Sequence, residues 1–131
     1  MLKNKFILLI ALLIAIAGFL TSCTYEWIEY PEPDPIDTTV VISFSTQIEP
    51  IFNNGNYCTS CHGQGGTQPN LTTGNAYASI TSMGLVVAND PAASKIYYYI
   101  EPKSSTHSWK KYTASDAQLI STWIIQGALN N

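Results

Sequence analysis

Apolar residues run unbroken from Phe6 to Leu20, behind a short basic start, Met1-Leu2-Lys3-Asn4-Lys5. The run is shorter than the roughly 20 residues a membrane-crossing helix needs. It closes on small residues, Leu20-Thr21-Ser22-Cys23. A charged start, an apolar middle and small residues before a cut predict a secretory signal peptide over residues 1–22; an uncleaved membrane anchor is the alternative. Periodicity of another kind begins at Phe44. Phe44, Ile48, Ile51 and Phe52 share one stripe of a helix. Pro50 cannot donate to the carbonyl of Thr46, so this helix starts late or kinks there, and Asn53-Asn54-Gly55-Asn56 ends it.

Gly74 to Ser82 suits a second short helix. Asp90-Pro91 reads as an N-cap with proline at the first helical position, opening a third helix through Ile100 that Pro102 closes. The last element is the best marked. Thr113-Ala114-Ser115-Asp116 and Ser115-Asp116-Ala117-Gln118 both fit the capping box, Leu119, Ile120, Trp123 and Ile124 form the apolar face, and Gly127 is the expected stop. No alternating strand or hairpin signal appears, so the predicted fold is all-α.

Composition narrows this picture. Residues 24–39 read TYEWIEYPEPDPIDTT, acidic throughout, with prolines at 31, 33 and 35 and no basic residue. Proline removes backbone donors and like charges repel, so residues 23–40 are expected to be a disordered, extended tether ahead of a domain spanning 41–131. That domain is nearly neutral and has no arginine, which leaves no nucleic-acid footprint and no strong steering field. A domain of this size buries a modest core, and a large embedded cofactor would help to stabilise it.

The three cysteines divide by context. Leu20-Thr21-Ser22-Cys23 resembles the lipobox of bacterial lipoproteins, which implies lipid on Cys23 and an exported protein held at a membrane; several acyl chains would hold it firmly where one binds marginally. The acidic residues behind Cys23 resemble surface-export signals of Bacteroidetes lipoproteins, a plain periplasmic spacer being the other reading. Asp37-Thr38-Thr39 resembles an O-glycosylation acceptor of the same phylum. The expected location is the bacterial cell envelope, lipid-anchored at the outer membrane, on its periplasmic or surface face.

Cys58 and Cys61 stand two residues apart, with His62 directly after. The spacing C-x-x-C-H is the attachment signature of c-type haem. Two thiols about one helical turn apart suit the porphyrin's two vinyl groups, and the adjacent histidine suits an axial iron ligand. Export agrees, because c-type haem is attached outside the cytoplasm. Structural zinc would need four ligands, here Cys58, Cys61, His62 and His107, with an awkward adjacent cysteine and histidine and no second knuckle. A thioredoxin-like dithiol lacks its βαβ setting, and a plain disulfide needs no histidine.

Around this motif the chain resembles class I cytochrome c domains, in particular those in lipoproteins of Bacteroidetes and Planctomycetes. The resemblance spans about residues 42–128 and rests on FSTQIEPIF with CTSCHG, DPAASKIYYYI and LISTWIIQGA, in that order. It implies a small helical domain around one covalent haem c, with Phe44 or Phe52 against Trp123 where first and last helices meet. It also implies that the Pro69 carbonyl orients His62 through its second nitrogen and that Leu71 packs on the ring; a turn proline after a Gly-rich loop is the plainer reading of Pro69. The function implied is electron transfer with redox partner proteins, at a membrane through the lipid anchor, and no enzyme activity.

The chain departs from that family at the iron's other face. Where such domains carry H-M-P-P before the last helix, this one reads Ser105-Thr106-His107-Ser108-Trp109-Lys110. With two histidines in all, and Met83 besides the initiator, the candidates are His107, Met83, an amine of Lys110 or Lys111, or an open site. Imidazole suits iron; Met83 beside Gly84 also reads as core filler. Two imidazoles give a lower potential than histidine with methionine. An open site would suit a haem-based ligand sensor or peroxidase-like enzyme, and a third reading is a haem-free surface interaction module with the cysteines joined.

Overall fold

A computed structural model describes residues 32–55 and 58–131, together with Lys3, Lys5, Ile7 and Ile10, all four of which are helical. The remainder of the expected signal peptide, Cys23 and the tether as far as Pro31 lie outside the described residues. No strand occurs among the described residues, and the fold is all-helical. None of their helices is long and apolar enough to cross a membrane.

The first helix, α1, starts at Phe44 and runs through Pro50 without a break. It is wound wide, in two π-helical stretches, Phe44–Ile48 and Ile51–Gly55, continuous through Glu49 and Pro50. Ser43 caps it, its hydroxyl accepting from the Thr46 amide, and its carbonyl accepts from both Gln47 and Ile48. The Glu49 amide reaches back five residues to the Phe44 carbonyl. Wider winding accommodates a residue that lacks its own donor, and it still buries Phe44, Ile48, Ile51 and Phe52 together.

Helix α2 (Ala76–Ser82) buries Ala76 and Ile80. Helix α3 is shorter than expected, Lys95–Tyr98 rather than a run from Asp90. Asp90 does cap locally, its carboxylate accepting from the Ala93 amide at 3.0 Å. The chain then turns so that the buried Ser94 hydroxyl meets the Val87 amide and the carbonyls of Val87 and Asp90, and winding begins only after it. Helix α4 (Ala114–Ile125) follows its sequence signals. Thr113 caps it through the Asp116 amide, and Gly127, at φ 100°, stops it.

Helices α1 and α4 meet through aromatic rings. Phe44 lies 5.3 Å from Trp123 and 5.2 Å from Tyr77 of α2, centroid to centroid. Phe44 thus makes the contact for which Phe52 was the alternative. Trp123 is 1 % exposed and donates its indole N–H to the Leu129 carbonyl, as a buried indole requires. Asn131 closes the same corner, accepting from the Phe44 amide at 2.8 Å.

Residues 32–40 are not a free tether. Ile36 packs against the core, and the Gln126 side chain bonds the Ile42 amide and the carbonyls of Thr38 and Val40. One amide satisfying three backbone groups fixes the turn at 38–40, and the compact unit runs Glu32–Asn131.

Candidate functional site

Cys58–Ser60 forms a single tight turn, and the His62 amide donates to the Cys58 carbonyl at 2.8 Å. Cys58 and Cys61 therefore lie one helical turn apart, as their spacing predicted. Both thiols are free; Cys58 is half-buried against the core and Cys61 is exposed. Burial pushes the Cys58 thiol above its ordinary pKa, with the Lys110 charge opposing.

The chain then doubles back. Gly66 donates to Gly63 and Thr67 to Cys61, at 3.1 and 2.9 Å. This closure needs glycine at its crossing points, because a Cβ on Gly63 would lie 2.7 Å from the Thr59 carbonyl oxygen and one on Gly66 2.5 Å from that of Cys61. The closure sets the Thr67 carbonyl 3.0 Å from His62 Nδ1. The carbonyl that orients His62 is thus Thr67's and not Pro69's. The Gly-rich loop returns before it reaches Pro69, whose ring lines the adjacent cavity together with Leu71.

His107 is held by a similar device. Its Nδ1 bonds the Lys110 carbonyl at 2.9 Å, and its own carbonyl accepts from the Lys110 amide. Its φ is 50°, a left-handed conformation that costs a side-chain-bearing residue energy and collects at functional positions. The exposed Trp109 ring leans on it, 5.5 Å between centroids.

The two imidazoles face each other, nearly parallel at 24°, with centroids 6.1 Å apart. Each Nδ1 is engaged by a carbonyl, which leaves each Nε2 as the available ligand atom. With metal–imidazole bonds of about 2 Å and roughly 1 Å from nitrogen to ring centre, two imidazoles on opposite sides of one metal ion stand about 6 Å apart. The observed separation equals that span in length; holding one ion between them would also need the two rings turned edge-on, with both Nε2 atoms inward.

Both rings line a cavity of about 370 Å³, within the range of small-molecule and cofactor sites. Leu71, Leu85, Ile96 and Ile100 supply apolar wall, and Cys58 and Cys61 lie on its border. Among the described residues its charged lining is Lys95 and Lys110, with no carboxylate. Such a site suits an apolar body with an anionic edge.

Met83 does not reach this cavity. It caps the end of α2, 47 % exposed, and the turn at Gly84 (φ 63°) carries Leu85 inward in its place. Lys111 is also directed elsewhere, its ammonium donating to the carbonyls of Tyr99 and Thr106. Among the described residues no three His, Cys, Asp or Glu side chains converge to hold a metal ion, so the four-ligand zinc set is not assembled. Thr67 escaped the sequence reading because a carbonyl has no residue signature. Ile96 and Ile100, at i and i+4, carried a helical signal that could have placed them on the wall.

No known protein family, curated protein or solved structure matches this chain.

Proposed function

We propose that the chain is a monohaem c-type cytochrome with two histidine ligands, lipid-anchored at the bacterial cell envelope, that carries electrons and catalyses no reaction of its own. The observation that carries this reading is the pair of parallel imidazoles 6.1 Å apart beside C-x-x-C. In this reading Cys58 and Cys61 hold the porphyrin through thioether bonds, and His62 and His107 hold its iron by their Nε2 atoms. The haem supplies one-electron redox chemistry; the protein supplies orientation, exposure and docking.

The chain's own residues have defined tasks. The carbonyls of Thr67 and Lys110 keep the Nδ1 protons in place and raise the basicity of each imidazole. Leu71, Leu85, Ile96 and Ile100 would exclude water from a bound macrocycle, and Lys95 and Lys110 would supply positive charge for its acidic groups. Two imidazoles without a methionine favour a low reduction potential. The anchor is Cys23, which keeps the domain at the outer membrane, on its periplasmic or surface face.

The test is the optical spectrum, into the near-infrared, of the full chain produced with haem-attachment machinery, beside a His107→Ala variant. A low-spin spectrum without a methionine–iron band, turning high-spin in the variant, is the expected result. High-spin iron in the unmutated protein would overturn the carrier reading in favour of an open site for sensing or peroxide chemistry. A mass without the haem increment would leave a haem-free interaction module.

A further inference from the structure

We infer that Thr106 and Lys111 form a two-point staple that holds His107 in position, acting as positioning residues for the distal ligand. The inference rests on the two-histidine reading above. His107 lies in the loop between α3 and α4, which has no regular structure from Glu101 to Thr113. The base of that loop is closed by Tyr112, whose amide donates to the Ile100 carbonyl at 3.1 Å and whose hydroxyl donates to that of Ile96. The turn at 107–110 sets the direction of the imidazole, but it travels with the loop. It cannot by itself fix the ring against the opposite wall.

The attachment comes from the end of α3. The last carbonyls of a helix lack partners within it, and that of Tyr99, its C-cap, is one of these. It accepts from the Thr106 hydroxyl at 2.9 Å and from the Lys111 ammonium at 3.2 Å. The same ammonium also donates to the Thr106 carbonyl. A cation at a helix C-terminus is favoured by the helix dipole, and here it gathers the carbonyls on both sides of the gap. Thr106 precedes His107 directly, and α3 with the residues after it carries Ile96, Tyr99 and Ile100 of the cavity wall. The staple therefore ties the distal ligand to the wall on which the macrocycle would rest. It also supplies a restraint against relaxation of the left-handed backbone at His107.

The experiment uses the full, haem-loaded chain and four variants: Lys111→Met, Thr106→Val, the double variant, and Lys111→Arg, with His107→Ala as reference. The readouts are the rate of carbon monoxide binding to the reduced protein, which His107 must vacate, and the high-spin fraction of the oxidised spectrum. Urea midpoints are recorded alongside. Loss of even one net hydrogen bond shifts an equilibrium by about fivefold, so the double variant is expected to bind carbon monoxide at least about fivefold faster and to gain high-spin iron. Lys111→Met should do the same to a smaller extent. Lys111→Arg, which keeps a cationic donor, should stay near the unmutated rate. A double variant with an unchanged rate and spin state, while His107→Ala binds rapidly, overturns the staple and leaves the ligand reading standing. A lowered urea midpoint with an unchanged rate does the same, since it marks a purely structural role. An unmutated protein that binds as fast as His107→Ala overturns the ligand reading and the staple with it.

Discussion

Replacing Gly66 by alanine tests how His62 is held. The new Cβ would stand 2.5 Å from the Cys61 carbonyl oxygen and 3.3 Å from that of Gly63. Carbon and carbonyl oxygen settle at about 3.3 Å or beyond, so the loop must open by roughly 0.8 Å. Backbone forms both sides of the clash, and no side-chain rotation relieves it. Opening breaks the bond from the Thr67 amide to Cys61, 2.9 Å, and draws the Thr67 carbonyl away from His62 Nδ1, now at 3.0 Å. Two hydrogen bonds at about 1 kcal/mol net each, with residual strain, give a loss of about 2–3 kcal/mol.

Gly65→Ala serves as the internal control. Gly65 has φ 76° and nothing within 4 Å of an added Cβ, so its variant suffers only the left-handed strain, about 1 kcal/mol. Urea unfolding of the full chain, followed by far-ultraviolet circular dichroism, separates the two. With a slope of about 1–1.5 kcal/mol per molar urea, Gly66→Ala should lower the midpoint by about 2 M. A Gly66→Ala protein within about 0.5 kcal/mol of the unmutated one, or more stable than Gly65→Ala, would refute the packing of this loop.

Two further outcomes follow from burial. Tyr112 is enclosed, and burial holds its phenol well above the ordinary tyrosine range; the unfolded chain ionises near pH 10 while the folded one does not. Its contribution is therefore complete below about pH 10 and is lost as pH rises, by up to about 1.4 kcal/mol per unit. Tyr112→Phe should cost about 1 kcal/mol at pH 8, where the bond to the Ile96 carbonyl is lost, and should flatten the fall between pH 8 and 11. Parallel alkaline limbs in the two proteins would contradict this. Met83→Leu should change stability by less than about 0.5 kcal/mol and, in the proposed haem-loaded form, leave the spectrum unaltered, because Met83 is exposed and off the cavity; a spectral shift in that form would mean that its sulfur serves as a ligand.

What was legible in the sequence is what local chemistry determines. The Thr113 cap, the Ile120–Trp123–Ile124 face and the Gly127 stop describe α4 because caps and stripes act within a turn or two. The stripe of α1 was legible and its winding was not, since whether the chain breaks at Pro50 or winds wide through it depends on what Phe44 and Phe52 pack against. Asp90 misled for a related reason. Its cap forms, but the helix waits until the Ser94 hydroxyl has reached Val87, a contact made only once the loop is folded. At the site, the short inventory of histidines and methionines pointed to His107 as a candidate. The carbonyls of Thr67 and Lys110 that orient both imidazoles had no residue signature to read.

The two histidines divide local from tertiary control. Each ring takes its direction from a carbonyl in its own loop, five residues on for His62 and three for His107. Ligand orientation and basicity are therefore properties of two short segments, and they change with substitutions such as Gly66→Ala. The 6.1 Å between the rings belongs to neither segment. It is set by the Cys58 turn packing on the core from one side and by Tyr112 and α3 bracing the distal loop from the other. Substitutions near either imidazole should alter how strongly a metal is held. On the proposed reading, substitutions at Ile96, Tyr112 or Tyr99 should alter whether both imidazoles reach one metal ion at once, and so divide a sealed electron carrier from an open ligand site.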